Sequence, residues 1–171
     1  MRREVVAGVS LALSGELRLQ GREAARGLRL WCACVGEGGG LDLGPATPRL
    51  PLRLVVLDDE GRITRAAENT RILLTRDRVD LLVGPYGSHL MRAVARLAEA
   101  QGRVVWNHGG ASDAIVEQGL RNVVSVPSPA SEYFRDLPAL VRRRDAMVRR
   151  LAIVHSSRGS FAAEVARGVG E

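Results

Sequence analysis

Three short segments gather glycines and side-chain hydroxyls: Leu13-Ser14-Gly15, Gly84-Pro85-Tyr86-Gly87-Ser88 and Asn107-His108-Gly109-Gly110-Ala111-Ser112. Glycine lets a bound molecule approach the main chain closely. Unpaired amide hydrogens at the start of a helix favour an anion. Ser14, Ser88 and Ser112 would add hydroxyl donors at the same places. Such a set can hold a carboxylate without any arginine. Each segment alone also reads as an ordinary turn or helix cap. It is the coincidence of three that points to a ligand site.

Other reactive residues carry weaker signals. His89, His108 and His155 are the only histidines, and none stands in a metal-ligating or zinc-protease spacing. His108 falls where a strand ends, which suits a pocket-lining or hydrogen-bonding role better than acid-base catalysis. Asp58 and Asp59 are adjacent, so on a strand their side chains leave opposite faces. They read as a solvated turn with one capping carboxylate. Cys32 and Cys34 lie two apart, point to different sides of a helix and lack zinc partners. A buried hydrophobic role is expected for at least one of them. The turn after the first apolar run is Ser14-Gly15-Glu16-Leu17-Arg18-Leu19-Gln20-Gly21, which fails the G-x-G-x-x-G spacing of dinucleotide sites. No lysine is available for a Walker A loop, and no G-x-S-x-G elbow occurs. No catalytic residue, metal site or cofactor is expected.

The segments that must position these turns alternate between two periodicities. Val5 to Leu11 is a continuous apolar run, the pattern of a strand buried on both faces. From Gly21 to about Cys34 apolar residues recur at helical spacing, through Ala24, Ala25, Leu28 and Trp31. A loop follows over Gly36 to Pro51, with five glycines and three prolines. Further strands are predicted at Leu52 to Leu57, Val79 to Val83, Val104 to Trp106, Val123 to Val126 and Leu151 to Val154. Helices are predicted at Ile63 to Thr75, Ser88 to Gln101, Ser112 to Glu117, Glu132 to Arg143 and from Ser160 onward. Strict alternation of short apolar strands with helices implies an α/β fold, a doubly wound parallel sheet. In such sheets ligands bind beyond the carboxyl ends of the strands, where the three glycine-serine turns would lie.

Composition narrows the function further. The 171 residues fit one domain, or one and the beginning of another. Hydrophobic residues make up 46%, enough for a packed core. All 25 basic residues are arginine and the net charge is +6. Aromatics are only 4%, which argues against a base-stacking surface, and no groove-reading motif accompanies the charge. Nucleic acid is therefore not an expected partner. No apolar run is long enough to span a membrane, and Met1 to Val9 does not form a signal peptide.

The order Leu13-Ser14-Gly15, Gln20-Gly21, Arg26-Gly27, Asp58-Asp59 and Val83-Gly84-Pro85-Tyr86 resembles the amino-terminal lobe of the leucine/isoleucine/valine-binding proteins. These type I periplasmic binding proteins are substrate-binding subunits of ATP-driven importers. The resemblance covers nearly the whole chain. It implies a non-catalytic, two-lobed protein that closes on a small ligand, with residues 1–126 as an incomplete ligand-binding lobe and 127–171 as the truncated beginning of a second α/β lobe. It places Ser88 on a ligand carboxylate. It places Gly109, Gly110 and Ala111 on carboxylate and ammonium, with Gln20 lining the pocket. Ser14, Tyr86, His108 and Ser112 complete the candidate set.

Ala111 stands where the family has a threonine, and Gln20 where an aromatic residue is common. With Asn107-His108 these changes favour a polar amino acid or an amide. The family's disulfide between the turns after the second and third strands is missing, since Gly61 and Gly87 stand near its two points. The resemblance further implies an ABC permease in the membrane as partner, and a location in the periplasm or lipid-anchored outside the inner membrane. A ligand-sensing domain of a regulator, cytoplasmic or membrane-bound, is the alternative.

Overall fold

The computed structural model describes residues 3–157 and 159–170. They fall into two compact units. One comprises the chain up to Gly110 together with Leu120–Val126, and the other comprises Ala111–Gly119 and the residues from Pro127 onward.

The first unit is built from β1 (Val5–Leu11), α1 (Arg18–Glu37), β2 (Leu52–Asp58), α2 (Ile63–Thr75), β3 (Leu81–Val83), α3 (Ser88–Ala100), β4 (Val105–Asn107) and β5 (Val123–Ser125). The strands form one parallel sheet in the order β2-β1-β3-β4-β5. All seven residues of β1 are buried, as its uninterrupted apolar sequence requires for a strand inside a parallel sheet. On one face Val9 and Leu11 pack with Ala25 of α1, and Leu28, Leu54, Val56 and Val83 extend that cluster. On the other face Gly8 lies against Leu73 of α2 and against Val79. Met91 of α3 reaches Gly84 beyond β3. Helices therefore flank both faces, and the fold is a doubly wound parallel α/β sheet.

One glycine decides how closely α1 approaches the sheet. A Cβ on Gly21 would stand 2.0 Å from the carbonyl oxygen of Ala12. The helix backbone thus rests directly on the chain leaving β1. The loop after α1 is partly ordered by a single antiparallel bridge between Leu41 and Leu50, and Arg49 donates to the Gly38 carbonyl at 2.8 Å. Neither cysteine is buried: Cys32 is half-buried and Cys34 exposed. The expectation of a buried thiol fails because α1 buries only Gly21 and Ala25, and its last turns lie beyond the part packed on the sheet.

The second unit contains α4 (Asp113–Val116), a 3-10 turn at Ala130–Glu132, α5 (Leu137–Arg144) and α6 (Phe161–Gly170). Gly168 of α6 meets the Ser131 main chain, where a Cβ would fall 1.8 Å from its carbonyl oxygen. The Tyr133 and Phe161 rings meet edge to face at 5.6 Å. The strand expected at Leu151–Val154 is absent, and those residues are exposed. A strand exists only by pairing, and this unit offers no second strand among the described residues.

Candidate functional site

Parallel strands in register end together. Leu11 pairs with Asp58, Val9 with Val83, Val83 with Trp106, and Asn107 with Ser125. The turns after β1, β2, β3 and β4 therefore emerge along one rim of the first unit. The sheet order reverses at β1, whose neighbours are β2 and β3. This is the switch point at which doubly wound sheets open a crevice.

The turns touch one another there. A Cβ on Gly15 would lie 2.4 Å from the Glu60 carbonyl oxygen, so the turns after β1 and β2 meet main chain to main chain. Gly61 and Gly87 both face the side chain of Leu17. The Gly87 N–H donates to the Gly109 carbonyl at 3.0 Å. Gly109 in turn sits against Tyr86, where a Cβ would come within 2.8 Å of the Tyr86 Cα. Ser88 opens α3 directly behind Gly87, whose φ of 105° is one that side chains resist. Tyr86, Ser88, His108, Gly109 and the Ser14-Gly15 turn thus share one rim.

Several donors expected to face a ligand are committed elsewhere. The Ser14 amide and hydroxyl both donate to Asp58, at 3.3 and 2.7 Å, and the Leu13 amide joins them at 2.9 Å. The Gly110 amide donates to Oδ1 of Asn107 at 2.8 Å, and the Asn107 amide group returns a bond to the Gly110 carbonyl at 2.7 Å. The picture of unpaired amides at residues 14 and 110 is therefore corrected: short polar side chains at the strand ends satisfy them first. Gln20 lies in the first turn of α1, which begins at Arg18, and is exposed.

Ala111 and Ser112 belong to the second unit. There Ser112 precedes α4, but its hydroxyl donates to Glu164 of α6 at 2.8 Å instead of capping its own helix. Glu164 takes the helix-start amide itself, accepting from Asp113 N–H at 3.0 Å. Asp113 accepts from the Ser131 amide at 3.1 Å and from Arg167. Burial works against ionisation of the Asp113 carboxyl, but these donors outweigh it and hold its pKa below the usual carboxylate range.

The aspartate pair at the end of β2 divides as adjacent strand residues must. Asp58 is exposed and gathers the amides of Leu13, Ser14 and Glu60, and these donors overcome its partial burial and lower its pKa. Asp59 is fully buried, which corrects the reading of a solvated turn. It accepts from the Ser10 hydroxyl at 3.0 Å and the Gly61 amide at 2.9 Å, and burial nevertheless raises its pKa. Asn69 completes this knot through Ser10 and the Asp58 carbonyl. Its position in the predicted helix gave no sign of that role.

His108 is largely buried, which lowers its pKa, while a hydrogen bond to the Gly84 backbone works in the opposite sense. Its Nε2 is buried without a hydrogen-bond partner. Among the described residues no group of three or more histidine, cysteine or carboxylate side chains is arranged to hold a metal ion. No helix among them is long and apolar enough to cross a membrane.

Comparisons with known proteins bear on this rim. The branched-chain amino acid transporter substrate-binding protein LivJ of Streptococcus pneumoniae, in complex with isoleucine, superposes with a TM-score of 0.83 at 18% identity, over 98% of this chain and 46% of that one. An ABC transporter substrate-binding protein of Desulfitobacterium hafniense, in complex with leucine, gives 0.77 at 19% identity over 97% and 46%. A solute-binding protein of Rhodopseudomonas palustris, in complex with 3,4-dihydroxybenzoic acid, gives 0.81 at 12% identity over 98% and 43%. The chain spans less than half the length of each of these structures. Residues 4–171 match the sequence profile of the family described as periplasmic binding protein. That match extends over nearly the whole chain, and the chain belongs to the periplasmic binding protein family.

Proposed function

We propose that this chain is the ligand-capturing part of a substrate-binding component of an ABC importer, and that it recognises the carboxylate of a small organic acid without catalysis. The first unit serves as the amino-terminal ligand-binding lobe, and residues 127–171 begin a second lobe. The carrying observation is the convergence of the turns after β1, β3 and β4 at the sheet's switch point, with Gly87 bonded to Gly109 and Tyr86 packed on Gly109.

The similar solved structures hold isoleucine, leucine and 3,4-dihydroxybenzoic acid. These ligands differ in side chain and in the presence of an ammonium group. Their shared chemistry is a carboxylate. On this reading Ser88 and the main chain at Gly109 receive that group, and Tyr86 and His108 line the wall beside it. Polar residues such as His108 favour an amino acid with a polar side chain, its carboxylate free, over a purely aliphatic one. The importing partner is a membrane permease, and the protein works outside the inner membrane.

Calorimetric titration with amino acids, their amides and hydroxybenzoates tests the reading. A carboxylate ligand should bind, and its amide should bind at least about tenfold more weakly where the carboxylate is the recognised group. Ser88→Ala should weaken ligand binding by roughly ten- to a hundredfold, the worth of one hydrogen bond to a charged group. Unchanged affinity in Ser88→Ala would contradict the assignment.

A further inference from the structure

A second concave site lies in the first unit, between α1 and Leu13 at the start of the turn after β1. It is a groove of about 290 Å³ lined by Leu13, Arg22, Ala25, Arg26 and Arg29. The three arginines follow the spacing i, i+4, i+7 and therefore share one helix face. Leu13 and Ala25 form its floor. Ala25 is fully buried and Leu13 packs on the same apolar cluster, so the guanidinium groups surround a rigid base.

The charge around this groove is only partly compensated. Arg26 pairs with Glu23. Neither Arg22 nor Arg29 forms an ion pair with any described residue. Arg22 is anchored through Nε, which donates to the Leu13 carbonyl at 2.9 Å. Like charges at i, i+4 destabilise a helix. The first turn of α1 contains no acidic residue, so arginine also crowds the positive end of the helix. An anion bound among these groups would relieve both repulsions. Guanidinium groups converging on a small concavity suit an oxyanion that accepts several paired N–H bonds.

We propose that the groove formed by Arg22, Arg26 and Arg29 binds a phosphate group, free in solution or carried by an anionic lipid headgroup. The probes are inorganic phosphate and vesicles. Trp31 and Trp106 both lie in the first unit, so tryptophan fluorescence follows its melting. Melting temperatures are compared in phosphate and in chloride of equal ionic strength. The proteins are the wild type, Arg22→Gln/Arg26→Gln/Arg29→Gln, and a control with the same change in net charge, Arg71→Gln/Arg92→Gln/Arg121→Gln, all exposed positions. Phosphate salts out any protein surface, so the difference between variants is the informative quantity.

With phosphate about tenfold above a millimolar dissociation constant, the wild type and control should gain about 3–6 °C over the groove variant. Sedimentation with phosphatidylglycerol vesicles, and not with phosphatidylcholine, identifies the headgroup as the source when only the groove variant loses it. A phosphate shift without sedimentation identifies the free ion. Equal shifts in all three proteins, or no shift together with no vesicle binding, would overturn the proposal.

Discussion

The two units are held together by different physics. In the first, Leu11, Leu73, Leu82, Leu90 and Met91 are fully buried between a sheet and its helices. In the second, α5 buries nothing, and a groove of about 530 Å³ stays open among Phe134, Leu137, Ile153, Val154 and Phe161. What orders the second unit is largely polar: Glu164 clamps Ser112 and the Asp113 amide, while Asp113 binds Ser131 and Arg167. A parallel sheet gives each strand two apolar faces to bury, whereas isolated helices offer one stripe each. The rim proposed to hold ligand therefore stands on the unit with the apolar core.

Core truncation should separate the units most sharply. Leu82→Ala should cost about 2–5 kcal/mol, since Leu82 is 1% exposed and its site cannot collapse freely. Leu140→Ala, at 53% exposure in α5, should change stability by less than about 0.5 kcal/mol. Urea unfolding followed by tryptophan fluorescence and by circular dichroism measures both. Similar losses for the two variants would erase the contrast.

A smaller effect is expected at the contact between α1 and β1. Gly21→Ala gains about 1 kcal/mol in helix propensity, but its Cβ must push the Ala12 carbonyl away. The net expectation is a loss of about 2 kcal/mol, read in the same urea experiment. A stabilised variant would show that α1 does not rest on the sheet at Gly21.

The polar clamp should yield less again, and only locally. Glu164→Ala removes the acceptor for Ser112 and Asp113 and should cost the second unit about 1–2 kcal/mol. Hydrogen exchange should accelerate at the Asp113 amide, while the tryptophan-detected transition of the first unit stays in place. A shift of that transition would mean the clamp supports the core as well.

The smallest change concerns pH. Burial lowers the His108 pKa in the folded state. The folded protein thus binds fewer protons than the unfolded chain, and the stability His108 confers is complete above the unfolded value of about 6.5. It declines as pH falls below that value toward the folded pKa. Comparing urea midpoints of wild type and His108→Gln between pH 7.5 and 5 isolates the effect. The gap between the two proteins should change across that window in the direction of acid-sensitive wild type.

Much of this fold is written in local pattern. The unbroken apolar run of β1 announces a strand buried on both faces, and Gly84-Pro85 and Gly102 punctuate β3 and α3. The shared rim follows from strict βα alternation, which made Tyr86, Ser88 and Gly109 findable. Other features depend on partners distant in sequence. Ser14 spends its hydrogen bonds on Asp58, 44 residues away, and Ser112 donates to Glu164, 52 residues away. No period or spacing announces such pairs. Leu151–Val154 carries the apolar signature of a strand, but pairing is a property of neighbours and not of the segment itself.

The most direct test of the rim is an amide proton-nitrogen NMR titration of the labelled protein with leucine and with 3,4-dihydroxybenzoic acid. The account predicts saturable shifts concentrated at Tyr86, Gly87, Ser88, His108 and Gly109, with the second unit's α5 unmoved. Shifts confined to other surfaces, or none at concentrations of tens of millimolar, would contradict it.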